Sequence, residues 1–210
     1  MTRVAIAAAA FSLALASPAN AGDRLTPLPA PEHRDFAAQQ ALRAQYSGAT
    51  GALAARLLAA HNRERLAVGH SPLVWDEDLA ASAASYGPIL ASLHQLVHSP
   101  RETRPGQREN LARAAHGTMG PEQLVGLWSA EKRMLQPGLF PTVSRTGRWE
   151  DVAHYTQMVW PTTTRVGCAI FAADWDYLIC RYSPPGNIDG KPVLAPAPVM
   201  VAQASARTGK

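Results

Sequence analysis

His154-Tyr155-Thr156-Gln157-Met158-Val159-Trp160 sets a titratable ring, a hydroxyl and an amide inside an otherwise apolar segment. Read as a helix, it puts His154 and Met158 at i, i+4 and His154 and Gln157 at i, i+3, while Val152, Tyr155 and Val159 form an apolar stripe. A histidine at the edge of such a stripe either faces a cleft or has its ring nitrogens satisfied inside the core. The segment alone leaves both readings open.

Downstream, residues 166–171 and 176–182 read as two strands joined across Ala172-Ala173-Asp174-Trp175. With Cys168 opposite Cys180, Val166 faces Tyr182, Ile170 faces Leu178, and all six side chains share one face. These are the two cysteines of the chain, they lack C-x-x-C spacing, and in an exported protein a close pair reads as a disulfide. A bridge closing so short a loop adds about 3 kcal/mol at most. Tyr182-Ser183-Pro184-Pro185-Gly186-Asn187 ends the second strand in turn formers.

Upstream, residues 51–68 carry Ala54, Leu57, Leu58 and His61 at helical spacing, with Arg63, Glu64 and Arg65 expected mostly on the other side and a stop at Gly69. His61, Asn62 and Arg65 are expected to be structural glue. Asp76 reads as a helix cap, with Glu77 and Asp78 at the positive end and Leu79, Ala83, Tyr86 and Leu90 as a stripe that Gly87-Pro88 kinks. Residues 99–106 are polar and turn-rich, and Arg108-Glu109-Asn110-Leu111 begins a short strand. A third helix starts at Gly120-Pro121 and ends before Pro137-Gly138, with Leu124, Leu127, Trp128 and Glu131 on one face. A carboxylate on an apolar face needs a cation or dense hydrogen bonding, unless it lies past the buried stretch and points into water.

Residues 1–21 have the basic residue, the apolar run 4–16 and the small-residue cleavage site of a secretory signal peptide. That run is too short for a membrane anchor, and no later stretch approaches about 20 unbroken apolar residues. Residues 22–51 read as a proline-rich linker, with a further helix over Asp35 to Tyr46 that ends at Ser47-Gly48. Residues 52–190 are expected to form one domain and 191–210 a flexible tail. Loss of Arg3 takes the net charge from +4 to +3, and no run of like charges supports a nucleic-acid arm. The protein is therefore expected in the periplasm or outside the cell.

In order along the chain stand His61-Asn62-Arg63-Glu64-Arg65, His98-Ser99, Glu109-Asn110-Leu111, Trp128 with Glu131, the HYTQMVW segment at 154–160 and CRYSPPGN at 180–187. The set resembles the CAP superfamily of cysteine-rich secretory proteins, antigen 5 and plant pathogenesis-related proteins, in a secreted, bacterial-type member, over roughly residues 52–190. The resemblance implies an α+β fold, a three-layer α-β-α sandwich of the CAP type with a disulfide-linked β-hairpin, Cys168 paired with Cys180. It also implies a central cleft holding His98, Glu109, Glu131 and His154. Family members usually have glycine where this chain has Arg108 and Ala153, and Arg108 is positioned to bring a cation near Glu109.

Two imidazoles with nearby carboxylates suit Zn²⁺ or another divalent metal, with Glu109 and Glu131 coordinating directly or through water, and with occupancy falling below about pH 6.5. The expected function is an exported binding or interaction module. One alternative is a metal-assisted or Ser99-dependent hydrolase in the same cleft, which lacks an H-E-x-x-H or G-x-S-x-G arrangement. Another is lipid or sterol binding, with Leu139-Phe140-Pro141 as the apolar contact. The implied partner is a lipid or peptide ligand, not a nucleic acid. His94 and His98 form a rival i, i+4 metal pair if the second helix reaches them, and His33, His70 and His116 are expected to face solvent.

Overall fold

The computed structural model describes the backbone of residues 34–194 and the side chains of 51–194. The chain divides into two compact units, residues 1–41 and 42–210, and of the first only helical backbone from Arg34 on is described. The signal peptide, the proline-rich stretch through Pro31, His33 and residues 195–210 lie outside the described residues.

Helix α1 (Arg34–Ala67) runs unbroken, so the stop expected at Ser47-Gly48 is absent. A glycine within a helix costs about 1 kcal/mol relative to alanine, and the alanine, leucine, glutamine and arginine around it offset that. The helix ends before Gly69, whose φ of 75° is the left-handed conformation a glycine stop supplies. Strand β1 (Val74–Trp75) leads into α2 (Glu77–Leu93), where the Asp76 carboxylate accepts the Leu79 amide at 3.0 Å. This helix continues through Pro88. Then come β2 (Arg108–Ala115), α3 (Pro121–Ser129), α4 (Ala153–Met158), β3 (Arg165–Ala172) and β4 (Trp175–Ser183). Short 3₁₀ turns at Arg101–Thr103, Ala130–Met134 and Trp149–Val152 connect them.

The sheet has the order β1-β3-β4-β2, with β1 parallel to β3 and the other pairs antiparallel. Cys168 pairs with Cys180, Val166 with Tyr182 and Ile170 with Leu178, the register expected from setting the two cysteines opposite each other, and a disulfide joins them. Strand alternation sorts the core into two layers. On one face Val166, Cys168, Leu178, Cys180 and Tyr182 pack with Leu57 of α1, Leu124 and Trp128 of α3, and Tyr155 and Met158 of α4. On the other, Leu111, Tyr177 and Ile179 pack with Ala83, Tyr86 and Leu90 of α2. The result is a three-layer α-β-α sandwich. Gly167 sits directly against the first turn of α2, where any Cβ would overlap the Asp76 carbonyl and the Ala80 amide.

Other placements also differ from expectation. Glu64 and Arg65 are buried with Leu57 and His61, because positions 57, 61, 64 and 65 share one helical face. Leu127 is 41% exposed; the apolar face of α3 is carried by Leu124, Val125 and Trp128. Val193 is buried in the core, and Lys191 and Pro192 pair with the 139–140 segment, so the folded domain continues past residue 190. No helix among the described residues is long and apolar enough to cross a membrane.

Candidate functional site

The cleft lies between the 98–104 loop, the start of β2 and α4, and its position follows from local geometry. Val152, Tyr155 and Val159 are buried as the helical stripe required, and Thr156, Gln157, Met158 and Trp160 are buried too. His154 is the polar side chain of α4 left at the edge, 32% exposed, with the Trp128 ring stacked beside it at 6.0 Å and 16° between planes.

Glu131 lies in the 3₁₀ turn Ala130–Met134 that follows α3. At about 3.0 residues per turn side chains three apart eclipse, so Glu131 stays aligned with Trp128, whose ring stacks on His154, and faces the start of α4. There Glu131 Oε1 accepts the His154 ring Nδ1–H at 2.7 Å, and Oε2 accepts the backbone amides of His154 and Tyr155, both at 3.0 Å. Val152, at the N-cap of α4, gives no side-chain hydrogen bond, so Glu131 caps the helix from another element.

Glu109 repeats the pattern on the opposite wall. Its Oε1 accepts His98 Nδ1–H at 2.7 Å and the Ser99 amide at 3.0 Å; its Oε2 accepts the Ser99 hydroxyl at 3.0 Å and forms an ion pair with Arg181 Nη2, also at 3.0 Å. Glu109 and Arg181 face each other across β2 and β4. Burial pushes the Glu109 carboxyl up, but the His98 hydrogen bond, the Arg181 charge and the Ser99 amide outweigh it and hold the group below its ordinary value. Burial in turn lowers Arg181, against the pull of Glu109.

Each carboxylate thus binds a ring Nδ1–H together with backbone amide of the same histidine or its neighbour. An ionised carboxylate only accepts, so in the neutral ring Nδ1 carries the proton and the Nε2 lone pair is directed away. Neither Nε2 has a partner among the described residues. His98, His154 and Glu109 line one cleft of about 510 Å³, while Glu131 stands behind His154 and does not line it. No three of the four residues place ligand atoms within 4.8 Å of one another. Among the described residues, the group that does is His61 with Cys168 and Cys180, whose sulfurs are consumed in the disulfide. The oxygens of Glu109 and Glu131 hold the rings and the backbone amides beside them.

The motif pair that carried the resemblance is one hydrogen-bonded unit. Gln157 Oε1 accepts the Gly186 amide at 2.9 Å, Asn187 Nδ2 donates to the Ala153 carbonyl, and Thr156 donates to Asn187 Oδ1. A Cβ on Gly186 would lie 2.6 Å from Trp160 Cγ, which is why this approach requires glycine. Arg108 donates to the Gly186 and Asn187 carbonyls at 3.0 and 3.2 Å and fastens this loop; the cation on Glu109 is Arg181. Asn110 donates to the His154 carbonyl and so ties β2 to α4.

The remaining candidates fall elsewhere. Helix α2 ends at Leu93 and His94 is its left-handed C-cap, which removes the helical His94–His98 pair. His70 is buried with Nδ1 2.6 Å from the Val159 carbonyl, contrary to the expectation that it faces solvent. His116 is exposed and contacts Asp176. Ser99 is buried, its hydroxyl donating to Glu109 and accepting from Arg104 Nε at 3.0 Å. Phe140 is buried against Trp149 and Trp160, which leaves Leu139 as the exposed apolar tip of its loop. Arg181 and Arg104 were absent from the sequence-level site. The signal for Arg181 was its alternation with Tyr177 and Ile179 on a strand face that must be covered.

A disulfide-linked hairpin in a three-layer sandwich, with two carboxylate-supported histidines at one cleft, defines a small α+β module of the CAP type. The family model "CAP: Cysteine-rich secretory protein family" matches residues 58–182, and the chain belongs to that family. Similar curated proteins include pathogenesis-related protein PR-1 type of Sambucus nigra, 36% identical over 135 residues, covering 63% of this chain and 76% of that one. Pathogenesis-related protein 1C of Nicotiana tabacum is 37% identical over 137 residues, covering 64% and 76%. These are plant proteins and lend no support to a bacterial-type placement. Among solved structures, Na-ASP-1 is similar with a TM-score of 0.58 and 26% identity over 69% of this chain, which spans 42% of that longer chain. The structure of NaASP2 with Zn²⁺ shares the fold at a TM-score of 0.56 and 24% identity, covering 68% and 84%.

Proposed function

We propose that the protein is an exported extracellular binding module whose cleft holds a divalent cation, Zn²⁺ or another borderline ion, through His98 Nε2 and His154 Nε2. What supports this reading is the matched pair of carboxylate-to-Nδ1 hydrogen bonds at 2.7 Å. Glu109 and Glu131 each select the tautomer that leaves Nε2 free to donate its lone pair. Two neutral imidazoles suit such an ion and leave coordination positions for water or for oxygen atoms of a peptide or lipid ligand. When bound, the ion supplies positive charge that attracts those oxygens. Glu109 and Glu131 keep the rings oriented, and the Glu109 carboxylate, held below its ordinary value, offsets part of that charge. Export rests on the signal-like residues 1–21 and on the disulfide, which suits an oxidising compartment.

No observation favours hydrolysis. The Ser99 hydroxyl is directed at a carboxylate held below its ordinary value, a weak base, and an arginine donates to the same oxygen. Calorimetry at pH 7.5 tests the proposal: the wild-type chain takes up about one equivalent of zinc, and the His98→Ala/His154→Ala variant does not. Equal uptake by the two proteins refutes the assignment.

A further inference from the structure

The segment before β2 and its first residue put three arginines into the wall of the cleft: Arg101, Arg104 and Arg108. Arg104 is buried, with Nε donating to the Ser99 carbonyl and hydroxyl and Nη1 to the Gln107 carbonyl. Arg108 is half-buried, with Nε on the Gly186 carbonyl and Nη2 on the Asn187 carbonyl. These bonds fix both guanidinium planes, yet Arg104 Nη2 and Arg108 Nη1 have no hydrogen-bond partner among the described residues. Arg101 is exposed at the rim, and its guanidinium has neither a hydrogen bond nor an ion pair among the described residues.

The charges of this wall do not balance. Glu109 is ion-paired with Arg181 from behind, and Asp189, the other carboxylate of the lining, is exposed and has no ion pair among the described residues. Four guanidinium groups therefore stand against two carboxylates, an excess of two positive charges. Glu102 is exposed and Glu131 stands behind His154; neither lines the cleft. Burial lowers the Arg108 guanidinium below its ordinary value, and the charges of Arg101 and Arg104 lower it further. Like charges gathered in a concave, partly desolvated wall concentrate anions and are relieved when one binds. A guanidinium held flat by carbonyls meets a planar carboxylate with little further loss of side-chain freedom. The cleft of about 510 Å³ is larger than a single ion needs, and Trp149, Phe140 and Pro141 give the rest of its wall an apolar surface.

We propose that the cleft takes the acidic C-terminus of a peptide, the main-chain carboxylate and the side-chain carboxylate of its last residue sharing the free donors of Arg101, Arg104 and Arg108. Two carboxylates match the excess of two positive charges, and the residues before them lie along Trp149, Phe140 and Pro141. The proposal rests on the cleft being a ligand site, and it names the ligand class, but it does not depend on the cation. Arg108 stands where family members usually have glycine, so the preference belongs to this chain.

Calorimetry of the folded chain at pH 7.5 in EDTA, with acetyl-Ala-Ala-Glu bearing a free C-terminus, tests the proposal. Saturable binding is expected, with the uncharged acetyl-Ala-Ala-Gln amide weaker by about tenfold or more. Arg101→Gln, which removes an exposed side chain without protein partners, lowers the affinity about threefold. Arg108→Gly, which restores the residue usual in the family, lowers it about tenfold. Arg133→Gln, an equal loss of charge at an exposed position outside the cleft, leaves it unchanged. Absence of saturable binding, equal affinity for the uncharged peptide, for succinate or for inorganic phosphate, or an equal loss in Arg133→Gln each overturns the assignment. The chelator keeps this result apart from zinc uptake. Peptide binding by a chain that takes up no zinc leaves this proposal standing alone, and zinc uptake without peptide binding removes this proposal alone.

Discussion

Replacement of Glu131 by glutamine separates what this carboxylate does for folding from what it does for His154. Glu131 accepts three hydrogen bonds, from the His154 ring at 2.7 Å and from the amides of His154 and Tyr155 at 3.0 Å. In Glu131→Gln the amide oxygen still accepts both backbone amides, so the cap on α4 survives. The glutamine NH₂ then faces His154 Nδ1, which must become an acceptor, and the proton moves to Nε2. Three charge-assisted bonds become neutral ones, a loss of about 1–2 kcal/mol in stability. Glu131→Ala abandons all three and leaves two amides of the first turn without a protein acceptor, a loss of about 3–5 kcal/mol. The effect on the cleft follows a different order. The glutamine variant, although it keeps the cap on α4, presents an Nε2–H where a cation needs a lone pair, and its zinc affinity falls about 10–100-fold. Urea unfolding at pH 7.5 gives the first quantity, ¹⁵N spectra of the histidine rings report the tautomer, and calorimetry gives the third. A glutamine variant that keeps the Nδ1–H tautomer of His154 and wild-type zinc affinity refutes the reasoning.

Two further outcomes rest on buried groups in the core. His61 is fully buried between the Leu57 carbonyl and the Tyr182 hydroxyl, at 2.7 and 2.8 Å, and burial pushes its imidazole down to about 4. A base whose folded value is depressed contributes stability that is present above the unfolded value near 6.5 and is lost as pH falls toward 4, about 3 kcal/mol in all; unfolding measurements across that window should show the slope, and His61→Gln should flatten it. Arg65 donates to the carbonyls of Ser71, Met158, Trp160 and Thr163 at 2.7–3.0 Å, and burial takes its guanidinium down to about 10. Arg65→Met strands those buried carbonyls and should cost at least about 3 kcal/mol in denaturant unfolding, whereas a loss under 1 kcal/mol would show that the turn after α4 does not depend on it.

Where a feature depends on local periodicity, it was readable from the residues alone. The register of the hairpin follows from setting Cys168 opposite Cys180, and alternation agrees with it, because a slip by one residue would turn Val166, Ile170, Leu178 and Tyr182 away from the core. Asp76 could be recognised as a cap because the turn that it closes lies within the next three residues. Features that depend on how elements meet were not readable. Glu131 finds the His154 ring and the first amides of α4 only when the end of α3 packs on the start of α4, 23 residues further on. The Glu109–Arg181 pair needs the antiparallel register of β2 on β4, two strands separated in sequence by helices α3 and α4. His70 and Arg65 find their carbonyl partners in the turn after α4, far along the chain. In each case the sequence supplied a polar group needing a partner, and only the packed structure identified it.

A titration of the ¹⁵N-labelled chain with zinc, read at the histidine ring nitrogens, addresses the paired imidazoles directly. The Nε2 resonances of His98 and His154 should move together and saturate at one equivalent, while those of His61, His70, His94 and His116 hold still. If His98 and His154 stay in place, or if one responds without the other, the two rings do not serve a shared ion.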